Sequence, residues 1–243
     1  MSVVRPKPPE DPLHYDPAAV FATGGIDRQS LADLAPALDA ARSETLADVD
    51  RWRAGGTQPG EVLDPAFINL PDRLLADYTT TRPTSELHAL LGTAKRIRDT
   101  VDRVIVLGIG GSYMGTRALF EACCHPFHNE LSRGERGGRP RLSFEGFNID
   151  NDSAYGLLDL VAPAGGAVAD DLLHRWAILV VSKSGGTLET AAATRLFLEA
   201  LLESVGGDPQ KLAEMVVPIT GQTGKLASLA KAIGCPDVFD IPD

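Results

Sequence analysis

The sequence predicts an α/β fold: a five-stranded parallel sheet with helices on both faces, preceded by a helical N-terminal segment. Three observations carry this. Short β-branched apolar runs recur at Val104–Leu107, Leu142–Ile149, Trp176–Val181, Met215–Thr220 and Val238–Ile241. Stretches with helical spacing over 113–124, 153–161, 187–204 and 224–233 separate them, and strict strand–helix alternation is the pattern of a parallel sheet buried on both sides. Before residue 101 no such run occurs, and the apolar spacing is helical throughout.

Taken in order, residues 1–17 are proline-rich and read as a mobile arm. From Ser30, apolar residues recur at Leu31, Leu34, Leu38, Ala41, Leu46, Val49 and Trp52 until Gly55 and Gly56 stop the pattern. Pro36 lies within it, so a kink, or a helix beginning there, is expected. After a stretch of turn residues, Thr84 or Ser85 caps a helix whose apolar face is Leu87, Leu90, Leu91, Ala94 and Ile97. The chain thus divides into an arm (1–17), a helical segment (18–100) and an α/β domain (101–243). Within the last, Glu130 to Pro140, with three glycines and three arginines, reads as an exposed loop.

Composition narrows the function. The 243 residues are 44% hydrophobic and 23% charged, with a net charge of −10, so nucleic acid and anionic membranes are repelled at long range and neither is an expected partner. Any anion must be held locally. Three cysteines, two of them adjacent (Cys123, Cys124), make no disulfide framework, and an unbridged Cys235 points to a reducing compartment, the cytoplasm. The N-terminus lacks the apolar stretch of a signal peptide, and no run is long enough to span a bilayer.

Open parallel sheets bind ligands beyond the carboxyl ends of the strands where the winding reverses, which for strand order 2-1-3-4-5 lies between strands one and three. The residues after these two strands are Gly108-Ile109-Gly110-Gly111-Ser112 and Ser182-Lys183-Ser184-Gly185-Gly186-Thr187. Glycines admit a ligand close to the backbone, and the opening turn of the next helix offers unpaired amides with a favourable dipole. Ser112 is expected to serve as helix cap and anion contact together. Hydroxyls at 182, 184 and 187, with Lys183 adding charge, suit a cradle for one tetrahedral phosphate.

Other chemistries fit less well. Tyr113 stands where a dinucleotide fingerprint needs its third glycine, and Gly224-Lys225 lacks the remainder of a Walker loop. Cys123, Cys124, His125 and His128 have no second cluster with which to complete a metal site, so no metal or cofactor is expected. Glu189 reads as a first-turn carboxylate favoured by the helix dipole, and Asp150 as a cap for the helix near Ser153.

With these loops in hand, the chain resembles the glucose-6-phosphate isomerase family, whose core is a pair of sugar isomerase (SIS) domains. The resemblance rests on Val106 to Gly115 (VLGIGGSYMG), Phe147 to Asp150 (FNID) and Val181 to Thr190 (VSKSGGTLET), in that order, with the N-terminal helices also similar to the family's. It implies that Gly111, Ser112, Ser182, Lys183, Ser184 and Thr187 hold the phosphate of glucose 6-phosphate or fructose 6-phosphate, in an enzyme of glycolysis and gluconeogenesis that is a homodimer at full length. Family enzymes open the hexose ring; a glutamate then moves a proton between C2 and C1 through a cis-enediol(ate), aided by an arginine, a histidine and a lysine. Those four follow a segment that looks like Phe239 to Asp243 (FDIPD). The chain therefore looks like an N-terminal half, with the first SIS domain and no catalytic residue of its own. Two other expectations stand beside it: a stand-alone sugar-phosphate-binding SIS module or regulator, and an SIS enzyme acting on an amino sugar or heptose phosphate, which the N-terminal helices disfavour.

Overall fold

The computed structural model describes residues 16–21, 24–54, 64–162 and 171–241. The chain forms two compact units, Met1–Ile68 and Asn69–Asp243. Most of the proline-rich arm, and the pair Gly55 and Gly56, lie outside the described residues.

In the first unit, helix α1 (Arg28–Arg53) runs through Pro36. It does not begin at the proline, because Asp27 supplies a start well upstream of it. Its carboxylate accepts the backbone N–H of Ser30 at 2.8 Å, satisfying one of the helix's orphan donors. Leu31, Leu34, Leu38 and Leu46 are exposed along α1.

The second unit opens with α2 (Leu70–Thr80), in a stretch that reads locally as turn sequence. Pro71 at its first turn has the fixed φ of a helix start. Ser85 caps α3 (Glu86–Thr100) by accepting the N–H of His88. There follow β1 (Arg103–Leu107), α4 (Gly111–Cys123), β2 (Arg141–Glu145), α5 (Asn151–Val161), β3 (Trp176–Ser182), α6 (Leu188–Ser204), α7 (Pro209–Met215), β4 (Val216–Thr220), α8 (Lys225–Ile233) and β5 (Phe239–Asp240). The five strands are ordered β2-β1-β3-β4-β5, and all the pairs are parallel. Strand β2 ends before its apolar run does, because Gly146 turns out of the sheet at φ +78° and Asp150 caps α5, accepting the N–H of Asp152. Helix α7 has only seven residues and no apolar periodicity of its own; Asp208 nucleates it by accepting two backbone N–H groups.

Alternation along the strands sorts the core into two faces. Ile105, Leu107, Ile178 and Val180 pack with Phe197 and Leu201 of α6. Val104, Val106, Ala177 and Val217 pack with Ile97 of α3 on the opposite side. Helices therefore cover both faces.

The loop of residues 130–140 is not merely exposed. Arg136 is 3% exposed and donates to the carboxylate of Asp102 at 2.5 Å. Arg133 reaches the same carboxylate at 2.9 Å, and Arg141 donates to its second oxygen. Asp102 is completely buried; its backbone N–H donates to the carbonyl of Arg175 at 2.9 Å and its carbonyl accepts the N–H of Arg141 at 2.7 Å. One residue thus joins the starts of β1, β2 and β3. Replacing Asp102 with Asn retains the volume but leaves three guanidinium groups crowded without a counter-charge. The expected loss is about 3–5 kcal/mol of stability, measured by chemical denaturation; an unchanged unfolding midpoint contradicts this role.

The cysteines differ in exposure. Cys123 is exposed, whereas Cys235 packs against the core and burial pushes its thiol up to about 11 from an ordinary 9.0. At pH 8, iodoacetamide should modify the exposed Cys123 before Cys235, whose thiol is partly buried and keeps its proton. Between pH 9 and 11 the folded chain retains a proton that the unfolded chain releases, so this thiol lowers stability as pH rises through that window. Cys235→Ala should flatten that part of the pH–stability curve.

Candidate anion site at the carboxyl ends of β1 and β3

Strands β1 and β3 are neighbours, with Leu107 in register with Val180, so the two glycine-bearing loops leave the sheet side by side. At Gly108 a Cβ would stand 3.1 Å from the carbonyl oxygens of Ser112 and Val181, so the close approach of the first loop to β3 requires glycine. Gly110 occupies the cap position of α4 at φ +58°, ψ −128°, a region open to glycine alone. Ser112 is therefore not the cap but the second residue of the helix. Its hydroxyl makes no hydrogen bond among the described residues, and Gly111 beside it is exposed with open space around its Cα.

In the second loop, Ser182 is the last residue of β3 and Thr187 the cap residue of α6. The Thr187 hydroxyl lies 3.4 Å from those of both Ser182 and Ser184, and Ser184 Oγ accepts the N–H of Gly186 at 3.3 Å. Three of the expected contacts are thereby drawn together at the N-terminus of a 17-residue helix, where dipole and unpaired amides favour an anion. Lys183 is exposed on the same loop. Ser112 stands in the first turn of α4, after the neighbouring loop, and is not hydrogen-bonded to these hydroxyls.

A third loop, after β4, takes part, although its sequence suggests no more than an incomplete Walker motif. Thr220 Oγ1 donates to the carbonyl of Ser182 at 2.8 Å, Gly221 donates to the carbonyl of Lys183 at 3.3 Å, and Leu226 to that of Gly185 at 3.2 Å. Contact is too close for side chains. A Cβ on Gly224, at φ +110°, would stand 2.9 Å from the Ser184 carbonyl oxygen, and one on Gly221 would stand 3.0 Å from that of Lys183. The available signal is a glycine pair flanking the turn after a strand, the same punctuation as in the other two loops.

The acidic residues take other places. Glu189 in the first turn of α6, Asp150 at the cap of α5 and Glu145 at the end of β2 line one cavity of about 430 Å³. Glu145, unremarked in the sequence, is buried and accepts hydrogen bonds from the Ser153 hydroxyl at 2.7 Å and the Gly146 N–H at 3.1 Å. His128 Nε2 lies 3.1 Å from the Pro140 carbonyl, and His125 Nδ1 accepts the N–H of Phe127 at 3.1 Å. Among the described residues no three His, Cys, Asp or Glu side chains are grouped to hold a metal, and none of the described helices is long and apolar enough to cross a membrane.

Comparison with known proteins adds a family to this geometry. The glucose-6-phosphate isomerase of Caldanaerobacter subterraneus subsp. tengcongensis is 33% identical over 177 residues, 73% of this chain and 35% of that protein. The chain is related to glucose-6-phosphate isomerases. The enzyme of that name from Alkaliphilus metalliredigens is 35% identical over 159 residues, covering 65% of this chain and 32% of the relative; that of Listeria monocytogenes is 32% identical over 178, covering 73% and 35%. The chain thus spans about a third of the length of the curated glucose-6-phosphate isomerases it matches, a share that fits their N-terminal part. The crystal structure of a hypothetical protein from Thermus thermophilus superimposes with a TM-score of 0.58 at 25% identity, over 92% of this chain and 42% of that one. No protein-family model matches.

The brace between the second and third loops is testable. Gly224→Ala forces a left-handed backbone and a contact with the Ser184 carbonyl, and should cost about 1–3 kcal/mol. Inorganic phosphate binding, followed by calorimetry, should fall with it. A variant of unchanged stability and affinity would show that the third loop does not hold the second in place.

Proposed function

We propose that this chain is the phosphate-holding part of a glucose-6-phosphate isomerase, the enzyme that interconverts glucose 6-phosphate and fructose 6-phosphate in glycolysis and gluconeogenesis. The observation that carries the reading is the convergence of the Ser182, Ser184 and Thr187 hydroxyls at the start of α6, beside the glycine-opened start of α4. A phosphomonoester dianion needs several donors for each of its oxygens. Gly111 and Ser112 supply donors from one loop, and Ser182, Lys183, Ser184 and Thr187 from the other. The SIS-type domain of 101–243 would carry both loops, with 18–100 as the family's helical extension.

Isomerisation shifts a proton between two carbons at the opposite end of the sugar from the phosphate. The role of this site is to fix the distant, unreacting end, so that C1 and C2 meet the base in one orientation; binding energy from such a group is realised as positioning. The loops themselves hold hydroxyls, amides and one ammonium group, and no carboxylate or imidazole with which to abstract a carbon-bound proton. In this reading the proton-transfer groups belong to the additional length of the relatives, and the full-length form would be a homodimer. The free thiols of Cys123, Cys124 and Cys235 fit a reducing, cytoplasmic setting.

Two measurements on the chain test the reading. Glucose 6-phosphate should shift the backbone amides of Gly110 to Ser112 and Ser184 to Thr187 together in an NMR titration, and Ser184→Ala or Thr187→Ala should each weaken binding by about 1–3 kcal/mol. A coupled assay should detect no turnover to fructose 6-phosphate. Response of only one loop overturns the shared cradle, and saturable turnover overturns the assignment of the proton-transfer groups to the remaining length of the relatives.

A further inference from the structure

The cleft between α6 and α8 has three properties that the phosphate loops do not explain. It is a cavity of about 250 Å³ whose walls include Val180, Leu198, Leu226 and Leu229, all apolar. Thr190, 3% exposed, also lines it, and its hydroxyl has no hydrogen-bond partner. A buried hydroxyl without a partner carries a desolvation cost that a ligand can relieve. Arg195 and Lys225 line the same cavity, and neither makes an ion pair or side-chain hydrogen bond among the described residues. Arg195 also borders the neighbouring cavity of Glu145, Asp150 and Glu189, but in a chain of net charge −10 the wall of the α6–α8 cleft itself holds these two cations and no carboxylate.

Helix direction adds to this. Thr187 is the cap of α6, Thr190 and Ala191 lie in its first turn, and Lys225 and Leu226 lie in the first turn of α8. The cavity follows a stripe along α6 from Thr187 through Thr190 and Thr194 to Leu198, so one end of it lies beside the first turns of both helices, where the dipole favours negative charge. The apolar walls disfavour a bare, strongly hydrated ion, because nothing there replaces its water. The complement is an anion attached to an apolar body.

We propose that the α6–α8 cleft is a second anion site, for a small carboxylate bearing one compact apolar group. The apolar group fills the space among Leu198, Leu226 and Leu229. The carboxylate accepts from Arg195, Lys225 and the Thr190 hydroxyl. A cavity below the roughly 300 Å³ where pockets for drug-sized ligands begin sets the scale of the ligand. Ser182, Gly185 and Thr187 form a wall shared with the phosphate loop, but the proposal does not depend on that loop holding phosphate.

Sodium phenylacetate is a suitable probe, with phenylacetamide as its uncharged counterpart. Titration followed through the methyl signals of Leu198, Leu226 and Leu229 should give saturable shifts with phenylacetate and about tenfold weaker binding with phenylacetamide. Arg195→Gln with Lys225→Gln, both at exposed positions, should weaken phenylacetate about tenfold and remove the salt dependence of its binding. Thr190→Val should weaken it severalfold without lowering the melting temperature, since it removes an unsatisfied group. Equal binding of acid and amide, absence of saturable shifts, or indifference to the charge variants overturns the proposal. Displacement of phenylacetate by an equimolar amount of inorganic phosphate overturns it as well, because the two would then share one site. Saturable phenylacetate shifts with no response of Gly110 to Ser112 toward phosphate would support this cleft while refuting the phosphate reading.

Discussion

The carboxylate of Asp102 ties together the amino ends of three neighbouring strands. Fully buried, it receives Arg133, Arg136 and Arg141, while its peptide groups bond to Arg175 before β3 and Arg141 at the start of β2. A single buried negative charge would be prohibitive alone, and three guanidinium groups would repel one another without it. Burial, and next the neighbouring Arg141 charge, holds Arg103 below its ordinary value. The arginines also close backbone accounts: Arg133 donates to the carbonyls of Val101 and Arg98, and Arg136 to those of Arg139 and Leu131. The loop of 130–140 is thereby fixed as a clamp beneath the sheet.

Fixing strand starts fixes strand ends, because register is conserved along a parallel ladder. With Arg103 opposite both Arg141 and Trp176, β1 must finish at Leu107 beside Val180, and Gly108 then meets the Val181 carbonyl. The same logic carries across β3 and β4, where Ser182 faces Thr220. The clamp and the candidate site therefore occupy opposite ends of one sheet, and the positions of the hydroxyl groups are inherited from pairing at the far end.

Much of this is legible in the sequence because it rests on local grammar. Alternating strands and helices point to the sheet, Ser85 declares the start of α3, and glycines with hydroxyls after β1 and β3 mark the switch point. What escapes depends on partners distant along the chain. Nothing near Arg136 reveals that its guanidinium is buried on Asp102, 34 residues away, and arginines among glycines read locally as a solvated loop. Thr220, Gly221 and Gly224 show their purpose only once β4 lies beside β3. Ser112 reads as a cap because a serine is the usual choice, whereas here Gly110 adopts a conformation closed to serine. Helices α2 and α7 are specified by Pro71 and Asp208 at their starts and not by an apolar stripe.

The glycine contacts between the loops after β3 and β4 have a thermodynamic consequence. Backbone touches backbone there, with Gly224 against Ser184 and Gly221 against Lys183, so no side chain intervenes to change rotamer and no slack remains to be taken up. The backbone at Lys183 and Ser184 surrendered its conformational entropy during folding, and an anion held there would not have to order it. With the backbone already ordered, only side-chain rotamers remain to be fixed on association at such a surface, so the exchange of water for hydroxyl and amide donors weighs the more heavily in it.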